Sequence, residues 1–181
     1  MDSTWINAPA KINLGLDVIR RRDDGYHEVK MIMQSIRLFD RLTLKKTKTP
    51  DISLTTNLHF LPVNEDNLVY KSAKLLMEEF GISEGVSITL DKRIPVAAGM
   101  AGGSTDAAAV FHGLNELWQL SMSMEKMQEL SVKLGADIPY CIMGGTALSE
   151  GIGEILTPLP ALPPAYILIA RPDISVSTKF V

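Results

Sequence analysis

Alternating apolar and polar residues near the start of the chain predict a β-strand. The apolar positions are Ile12, Leu14, Leu16 and Val18, and the polar positions between them include Lys11, Asn13 and Asp17. A period of two is the repeat of a strand with one buried face, so the polar side chains are expected to share the opposite face. A second strand pattern runs over residues 35–46, and weaker ones cover 52–56, 86–92 and 165–172.

Three segments with apolar residues three and four positions apart are interleaved with these strands. They predict helices over residues 66–81, 104–120 and 123–135. The first helix has a potential N-terminal cap at Asp66 or Asn67 and a terminating glycine at Gly81. The proline-rich residues 157–165 are expected to connect two strands.

Composition narrows the class of protein. The 181 residues are 46% hydrophobic but contain no run of about 18 uninterrupted apolar residues, which predicts a soluble globular protein without a membrane span. The opening residues resemble neither a signal peptide nor a transit peptide, so a cytoplasmic location is expected. The single cysteine, Cys141, is interpreted as a small buried hydrophobe. The net charge of −3 gives no reason to expect nucleic acid as a partner, and a small-molecule partner is expected instead.

The stretch "PVAAGMAGGSTDAAA" places Gly99, Gly102 and Gly103 directly before a predicted helix. A glycine-rich turn that leads into a helix exposes backbone N–H groups without intrahelical partners, and the helix dipole adds positive charge there. Such a turn attracts phosphate. From the glycines alone, a tight turn capped by Ser104 is an equally good interpretation. The spacing fits neither a P-loop nor a Rossmann fingerprint.

Three separated stretches together resemble the GHMP kinases. They are "PAKINLGLDV", "PVAAGMAGGSTDAA" and "LGADIPYCIMGGTALSEGIGE", in this order and at this spacing. Three more, "RRDDGYHEVKMIMQSI", "NEDNLVYKSA" and "ISVST", are similar to the branch of that family that phosphorylates a cytidyl sugar alcohol in the methylerythritol phosphate route to isoprenoids. The resemblance implies ATP and Mg²⁺ as the phosphoryl donor system and an alcohol as the acceptor.

The resemblance also implies a fold. Residues 1–181 would form the family's N-terminal domain, of the α+β class, with a mixed, mostly antiparallel sheet packed against helices. Members of the family are usually longer than this chain. The family's C-terminal domain is therefore expected to be missing, and the chain alone is expected to bind its ligands weakly and to have little activity.

The motifs assign roles in phosphoryl transfer to particular residues. Asp137 falls on the family's catalytic aspartate, which accepts the proton of the substrate hydroxyl. Lys11 falls on the family's strand lysine and is expected near Asp137, where it helps to neutralise charge at the transferring group. Asn13 is expected to orient the substrate hydroxyl groups. Without the resemblance, Asp137 would be interpreted as a turn or cap residue after Gly135, and Lys11 as a solvated charge.

Substrate recognition is expected at the tip of a predicted hairpin. By resemblance, Tyr26 stacks on the cytosine ring, His27 forms a hydrogen bond with it, and Thr178 contacts the substrate. Asp24-Gly25 is also a hairpin turn signal, and both readings can hold together because a turn is a good platform for a binding residue.

The nucleotide site is expected to follow the glycine-rich stretch. The residues assigned to ATP binding are Asn67, Pro95, Ala97, Ala98, Gly99, Met100, Ala101, Gly102, Gly103, Ser104 and Thr105. Ala101 stands where the family usually has glycine, which reduces backbone freedom. Asp106 is interpreted as a first-turn residue that complements the helix dipole. No metal ligand is assigned, and Mg²⁺ is expected to be held mainly by phosphates and water.

Two other functions stay open at this point. One is a GHMP kinase that acts on another alcohol, such as mevalonate or homoserine, against which Tyr26 and His27 argue. The other is a non-catalytic nucleotide-binding module, against which Lys11 and Asp137 argue. A bacterial source is favoured over a plastid one, and the oligomeric state is left undecided.

Overall fold

A computed structural model of the chain describes residues 2–170. It contains one mixed sheet, whose strands are β1 (Ser3–Arg21), β2 (His27–Thr47), β3 (Ile52–Thr56), β4 (Gly85–Asp91), β5 (Thr146–Glu150) and β6 (Ile155–Pro158). The spatial order is β3-β4-β2-β5-β6, with β1 also paired to β2. Only the β3–β4 pair is parallel among the described strands. The predicted α+β class with a mostly antiparallel sheet is confirmed.

Helices pack against the sheet to form the hydrophobic core. Their bounds are α1 (Leu68–Phe80), α2 (Gly102–Trp118), α3 (Met124–Ser131) and α4 (Ile138–Met143). Helix α2 is the central one, because it contacts β1, β2, α1 and α4. Ten residues of α2 are buried, compared with four residues of α1, so α2 contributes more side chains to the core. Among the described residues, no helix is long and apolar enough to cross a membrane.

Local signals account for the ends of two helices. The side chain of Asn67 caps α1 by accepting a hydrogen bond from the backbone N–H of Val69 at 2.9 Å. Gly81 ends the same helix in the left-handed conformation, with φ of 59°. Ser123 caps α3 through the N–H of Lys126. Of the two predicted caps, Asp66 and Asn67, the structure selects Asn67, and the prediction of Gly81 as the terminator is confirmed.

Other boundaries differ from the predictions. Helix α2 begins at Gly102, so Ser104 lies inside the helix and the interpretation of Ser104 as its cap is wrong. The cap position belongs to Ala101, whose side chain has no group that could form a cap hydrogen bond. Helix α3 ends at Ser131 rather than at Gly135. Residues 165–170 form no strand, because no described strand pairs with them, and the rest of the predicted strand lies outside the described residues.

The second half of β1 is a strand, as predicted, but its apolar side chains are not buried. Leu14, Leu16 and Val18 are about half exposed and belong to neither core cluster. Residues 13–21 are all exposed, so neither face of this half of β1 is covered by the core. The register also shifts between Asn13 and Gly15, where β1 has one extra residue. A bulge of this kind exchanges the two faces beyond it, so Asp17 does not continue the face of Lys11 and Asn13.

Gly113, in the middle of α2, allows the helix to approach the sheet closely. A Cβ at this position would lie 2.8 Å from Cδ1 of Leu44 and 3.5 Å from Cδ1 of Ile6. We expect Gly113→Ala to lower the free energy of unfolding by about 1 kcal/mol, because overpacking costs about 1–3 kcal/mol while alanine gains about 1 kcal/mol in helix propensity. Urea denaturation measures this difference.

The control for Gly113→Ala is a second glycine of the same helix. A Cβ at Gly103 would lie 3.6 Å from Cδ1 of Leu68, which is an ordinary contact. Gly103→Ala should therefore leave stability unchanged or raise it. Equal stabilisation by the two substitutions would show that the close contact with Leu44 does not limit packing.

Candidate active site

A cavity of about 640 Å³ opens where the glycine-rich loop meets the edge of α2. Its lining includes most of the residues assigned from the sequence, from four separate parts of the chain: Lys11 and Asn13; Asn67; Pro95, Ala97, Ala98, Gly99, Met100, Ala101, Gly102, Gly103 and Ser104; and Asp137. The fold thus brings the predicted nucleotide-binding and catalytic residues to one place.

The backbone of the loop is strongly curved. Ala97, Gly99 and Ala101 have φ of 56°, 71° and 54°, which is the left-handed region. Left-handed residues that recur along a loop are typical of backbone concavities that bind anions. Helix α2 starts directly after Ala101, so the unpaired N–H groups of its first turn lie at the same cavity. A phosphate chain is the ligand class that suits this end of the cavity.

Lys11 and Asn13 extend from β1 on the other side of the loop. The ammonium of Lys11 donates a hydrogen bond to Oδ1 of Asn13 at 3.2 Å, and its backbone N–H donates to the carbonyl of Met100 at 3.1 Å. The side chain of Lys11 is buried although it lines the cavity. The second bond ties β1 to the glycine-rich loop, which fixes the lysine relative to the predicted phosphate site.

Asp137 occupies the N-cap position of α4 but forms no cap hydrogen bond through its side chain. No described residue forms an ion pair or a side-chain hydrogen bond with its carboxylate, which lines the cavity. Among the described residues, no ion pair joins Asp137 to Lys11. A carboxylate in a cap position that does not cap is available for a ligand.

Cys141 lies beneath this part of the site. Burial and then the negative charge of Asp137 raise the pKa of its thiol, while Lys11 lowers it. Both charged groups are therefore near the same sulfur atom from different elements. The thiol is buried, which confirms the interpretation of Cys141 as a small hydrophobe.

Two predicted roles near the start of α2 differ from what the structure shows. The hydroxyl of Thr105 is buried and donates to the backbone carbonyl of Pro9 at 2.7 Å, so Thr105 does not line the cavity. Asp106 is not a first-turn residue, because α2 begins at Gly102. Its buried carboxylate instead accepts a hydrogen bond from the ammonium of Lys92 at 2.7 Å through Oδ2.

The residues predicted to recognise cytosine lie at the β1–β2 turn. Tyr26 and His27 are exposed and do not contribute to the lining of the cavity. The turn itself has the predicted chemistry, with Gly25 at φ of 86° and the Asp24 side chain accepting from the N–H of Tyr26. Thr178 lies outside the described residues.

Sequence reasoning missed Asp40 and Lys92, although the sequence contains a signal for each. Asp40 falls in the buried register of β2 with Leu42 and Leu44, and Lys92 continues the buried register of Ile88 and Leu90 beyond β4. A charge in an apolar register predicts a buried partner of opposite charge. Here the two residues are each other's partners.

Comparison with known proteins identifies relatives of this chain. The family "GHMP kinases N terminal domain" matches residues 67–145. A 4-diphosphocytidyl-2-C-methyl-D-erythritol kinase from Lachnoclostridium phytofermentans is 62% identical over 181 residues, which is 100% of this chain and 62% of the relative. The enzyme of the same name from Alkaliphilus metalliredigens is 53% identical over 98% of this chain and 61% of its own length. The chain therefore spans about three fifths of the length of the curated relatives it matches.

Solved structures show the same fold. A crystal structure of 4-(cytidine 5'-diphospho)-2C-methyl-D-erythritol kinase has a TM-score of 0.77 and 40% identity, and the match covers 88% of this chain and 56% of that one. A homoserine kinase from Cytophaga hutchinsonii has a TM-score of 0.71 and 21% identity, over 88% of this chain and 52% of that one. The second likeness supports the fold alone.

Proposed function

Since this chain belongs to the GHMP kinases, we propose that its protein transfers a phosphoryl group from ATP to the C2 hydroxyl of 4-diphosphocytidyl-2-C-methyl-D-erythritol. One observation carries the proposal: a free carboxylate, a buried lysine and a glycine-rich helix start line the same cavity. The identity of 62% to a relative of that name supports the substrate. The bacterial sources of the relatives support a bacterial cytoplasm as the location.

In the proposed mechanism, Asp137 accepts the proton of the attacking hydroxyl as the new bond from the hydroxyl oxygen to the γ-phosphorus of ATP forms. The bond from that phosphorus to the β,γ-bridging oxygen breaks at the same time, and ADP leaves. The carboxylate of Asp137 has no partner among the described residues, so no hydrogen bond has to break first. The ammonium of Lys11 stabilises negative charge on the transferring group, and the start of α2 binds the remaining phosphates. Phosphoryl transfer depends mainly on positioning and electrostatics, which these groups supply.

Mg²⁺ is part of the proposal as the ion that accompanies ATP. The described residues contain no group of three or more His, Cys, Asp or Glu side chains that could hold a metal ion. A magnesium ion commonly retains several waters and binds through substrate phosphates with one or two carboxylates, which fits a cavity of this kind. When bound, it would neutralise part of the charge on the phosphates.

The experiment that tests the proposed function is an ATP-consumption assay with three separate acceptors. These are 4-diphosphocytidyl-2-C-methyl-D-erythritol, mevalonate and homoserine, given to this chain and to the full-length gene product. The relative from Lachnoclostridium phytofermentans is the positive control. We expect turnover by the full-length product with the cytidyl acceptor only. Turnover with mevalonate or homoserine instead would overturn the proposed substrate, and ATP binding without turnover on any acceptor would favour a binding module.

A substitution at the exposed β1–β2 turn tests the proposed cytosine contact. We expect Tyr26→Ala to raise KM for the cytidyl substrate about tenfold, because stacking of a base on an aromatic ring contributes about 1–3 kcal/mol. KM for ATP should not change. Tyr26 is 59% exposed, so removing its ring leaves the core intact. Tyr26→Phe retains the ring and should behave as the wild type, whereas equal increases in both KM values for Tyr26→Ala would contradict a contact with cytosine.

A further inference from the structure

Three charged side chains form a buried cluster under the glycine-rich loop. The ammonium of Lys92 forms ion pairs with Oδ2 of Asp40 and, at 2.7 Å, with Oδ2 of Asp106. All three residues are buried, with exposures of 7%, 0% and 2% respectively. Burial of charged groups carries a high desolvation cost, which these residues offset through their ion pairs and through backbone hydrogen bonds to Asp40.

The cluster is attached to both ends of the loop. At the entry, Asp40 also accepts hydrogen bonds from the backbone N–H groups of Arg93 and Ile94, just before the loop begins at Pro95. At the exit, Asp106 belongs to α2, which begins where the loop ends. The single ammonium of Lys92 therefore joins the strand side of the loop to its helix side.

The backbone at the entry is held from a second direction. The side-chain amide of Asn57 accepts from the N–H of Lys92 at 2.8 Å and donates to its carbonyl at 3.0 Å. The ammonium of Lys92 is also packed against the first residue of α2, since a Cβ on Gly102 would lie 3.1 Å from it. Lys92 has little freedom to move unless the loop moves with it.

The geometry points to Lys92, with Asp40 and Asp106, as a positioning residue that fixes the curvature of the glycine-rich loop for the phosphates of ATP. The inference rests on the proposed function for its ligand. Lys92 and Asp106 also line the cavity, but the role inferred here concerns the shape of the loop and not a contact with the nucleotide.

The environment of the Asp106 carboxyl group makes its bond with Lys92 important. Oδ1 of Asp106 is buried and has no hydrogen-bond partner among the described residues. Burial raises the pKa of Asp106, and the ammonium of Lys92 acts in the opposite direction. The ion pair with Lys92 is therefore the interaction that favours a charged carboxylate at this buried position.

Two substitutions at Asp106 test the inference in the full-length gene product. Asp106→Leu has a branched side chain of similar shape but accepts no hydrogen bond from Lys92. We expect it to raise the dissociation constant of ATP at least about tenfold, at the modest end of what misplacement of binding groups costs. Asp106→Asn retains an oxygen acceptor and should stay within about threefold of the wild type, while KM for the cytidyl substrate stays unchanged in both variants.

Hydrogen exchange supplies a readout that does not depend on ATP. We expect the backbone amides of Lys11 and Thr105, which donate to the loop carbonyls of Met100 and Ala101, to exchange faster in Asp106→Leu and in Lys92→Met, with unchanged exchange in Asp106→Asn. Ser131→Ala, which alters a buried polar residue of α3 outside the cavity, is the control for a general loss of stability. Unchanged loop exchange in both Asp106→Leu and Lys92→Met would overturn the inference.

The two proposals fail in different ways. If the wild type binds and consumes ATP but Asp106→Leu has the same ATP affinity and loop exchange, the positioning role is wrong and the kinase stands. If the wild type does not bind ATP while loop exchange rises as expected, the cluster shapes the loop for another ligand and the proposed kinase is wrong.

Discussion

Replacing Asp137 by asparagine is expected to lower kcat with 4-diphosphocytidyl-2-C-methyl-D-erythritol by at least about a hundredfold. An amide cannot accept the proton of the attacking hydroxyl, although it has nearly the same shape. Asp137 forms no cap hydrogen bond, so the substitution should not disturb the start of α4. Steady-state kinetics of the full-length gene product, with thermal unfolding of the same sample, measure both effects.

A second aspartate on the cavity supplies the matched control. Asp66 lies beside Asn67 in the lining and is exposed. Asp66→Asn makes the same chemical change at the same cavity and should alter kcat less than about threefold. If Asp137→Asn remained as active as Asp66→Asn, Asp137 would not be the base.

Removing the charge of Lys11 is expected to have an effect of similar size. Lys11→Met should lower kcat by about a hundredfold to a thousandfold, the range for loss of one group that stabilises charge in the transition state. Methionine retains much of the apolar stem that β1 buries and leaves the backbone bond from residue 11 to Met100 intact. Single-turnover measurements would show whether the loss lies in the chemical step.

The control for Lys11→Met is the same substitution at a lysine on the neighbouring strand. Lys45, on β2, is exposed and lies outside the cavity lining. Lys45→Met should leave kcat and both KM values unchanged. If Lys11→Met raised KM for ATP but left kcat unchanged, Lys11 would contribute to ground-state binding of ATP. That outcome would exclude the proposed role in the transition state.

Sequence patterns correctly predicted the elements that are determined by residues close together in the chain. Asn67 and Gly81 mark the ends of α1 because capping involves only neighbouring backbone groups. The predicted helix at 104–120 exists, but both of its ends differ. The left-handed Ala101 allows α2 to begin at Gly102, and the left-handed Gln119 ends it at Trp118. Helix α4 was missed because six residues do not complete two helical turns and leave little period to detect.

Contacts between residues far apart in the chain could not be predicted from local sequence patterns. Strands β5 and β6 are short and lack a clear apolar–polar alternation. They form strands because β5 pairs with β2 and β6 pairs with β5. The same limit applies in the site, where the motifs indicated the loop, Lys11 and Asp137 separately. That Asp40, Lys92 and Asp106 meet under the loop follows only from the folded sheet and helix.

The central place of β2 in the sheet has a consequence for the order of folding. Met31 pairs with Ser149 and Gln34 with Thr146, so partners more than a hundred positions apart must meet. Strand β1 can pair with β2 early, because a short turn joins them. Until β5 arrives, the other edge of β2 at residues 31–34 has open backbone groups, and docking of β5 is expected to be a late and slow event. A nascent chain that pauses before residue 146 would carry this open edge into contact with other chains.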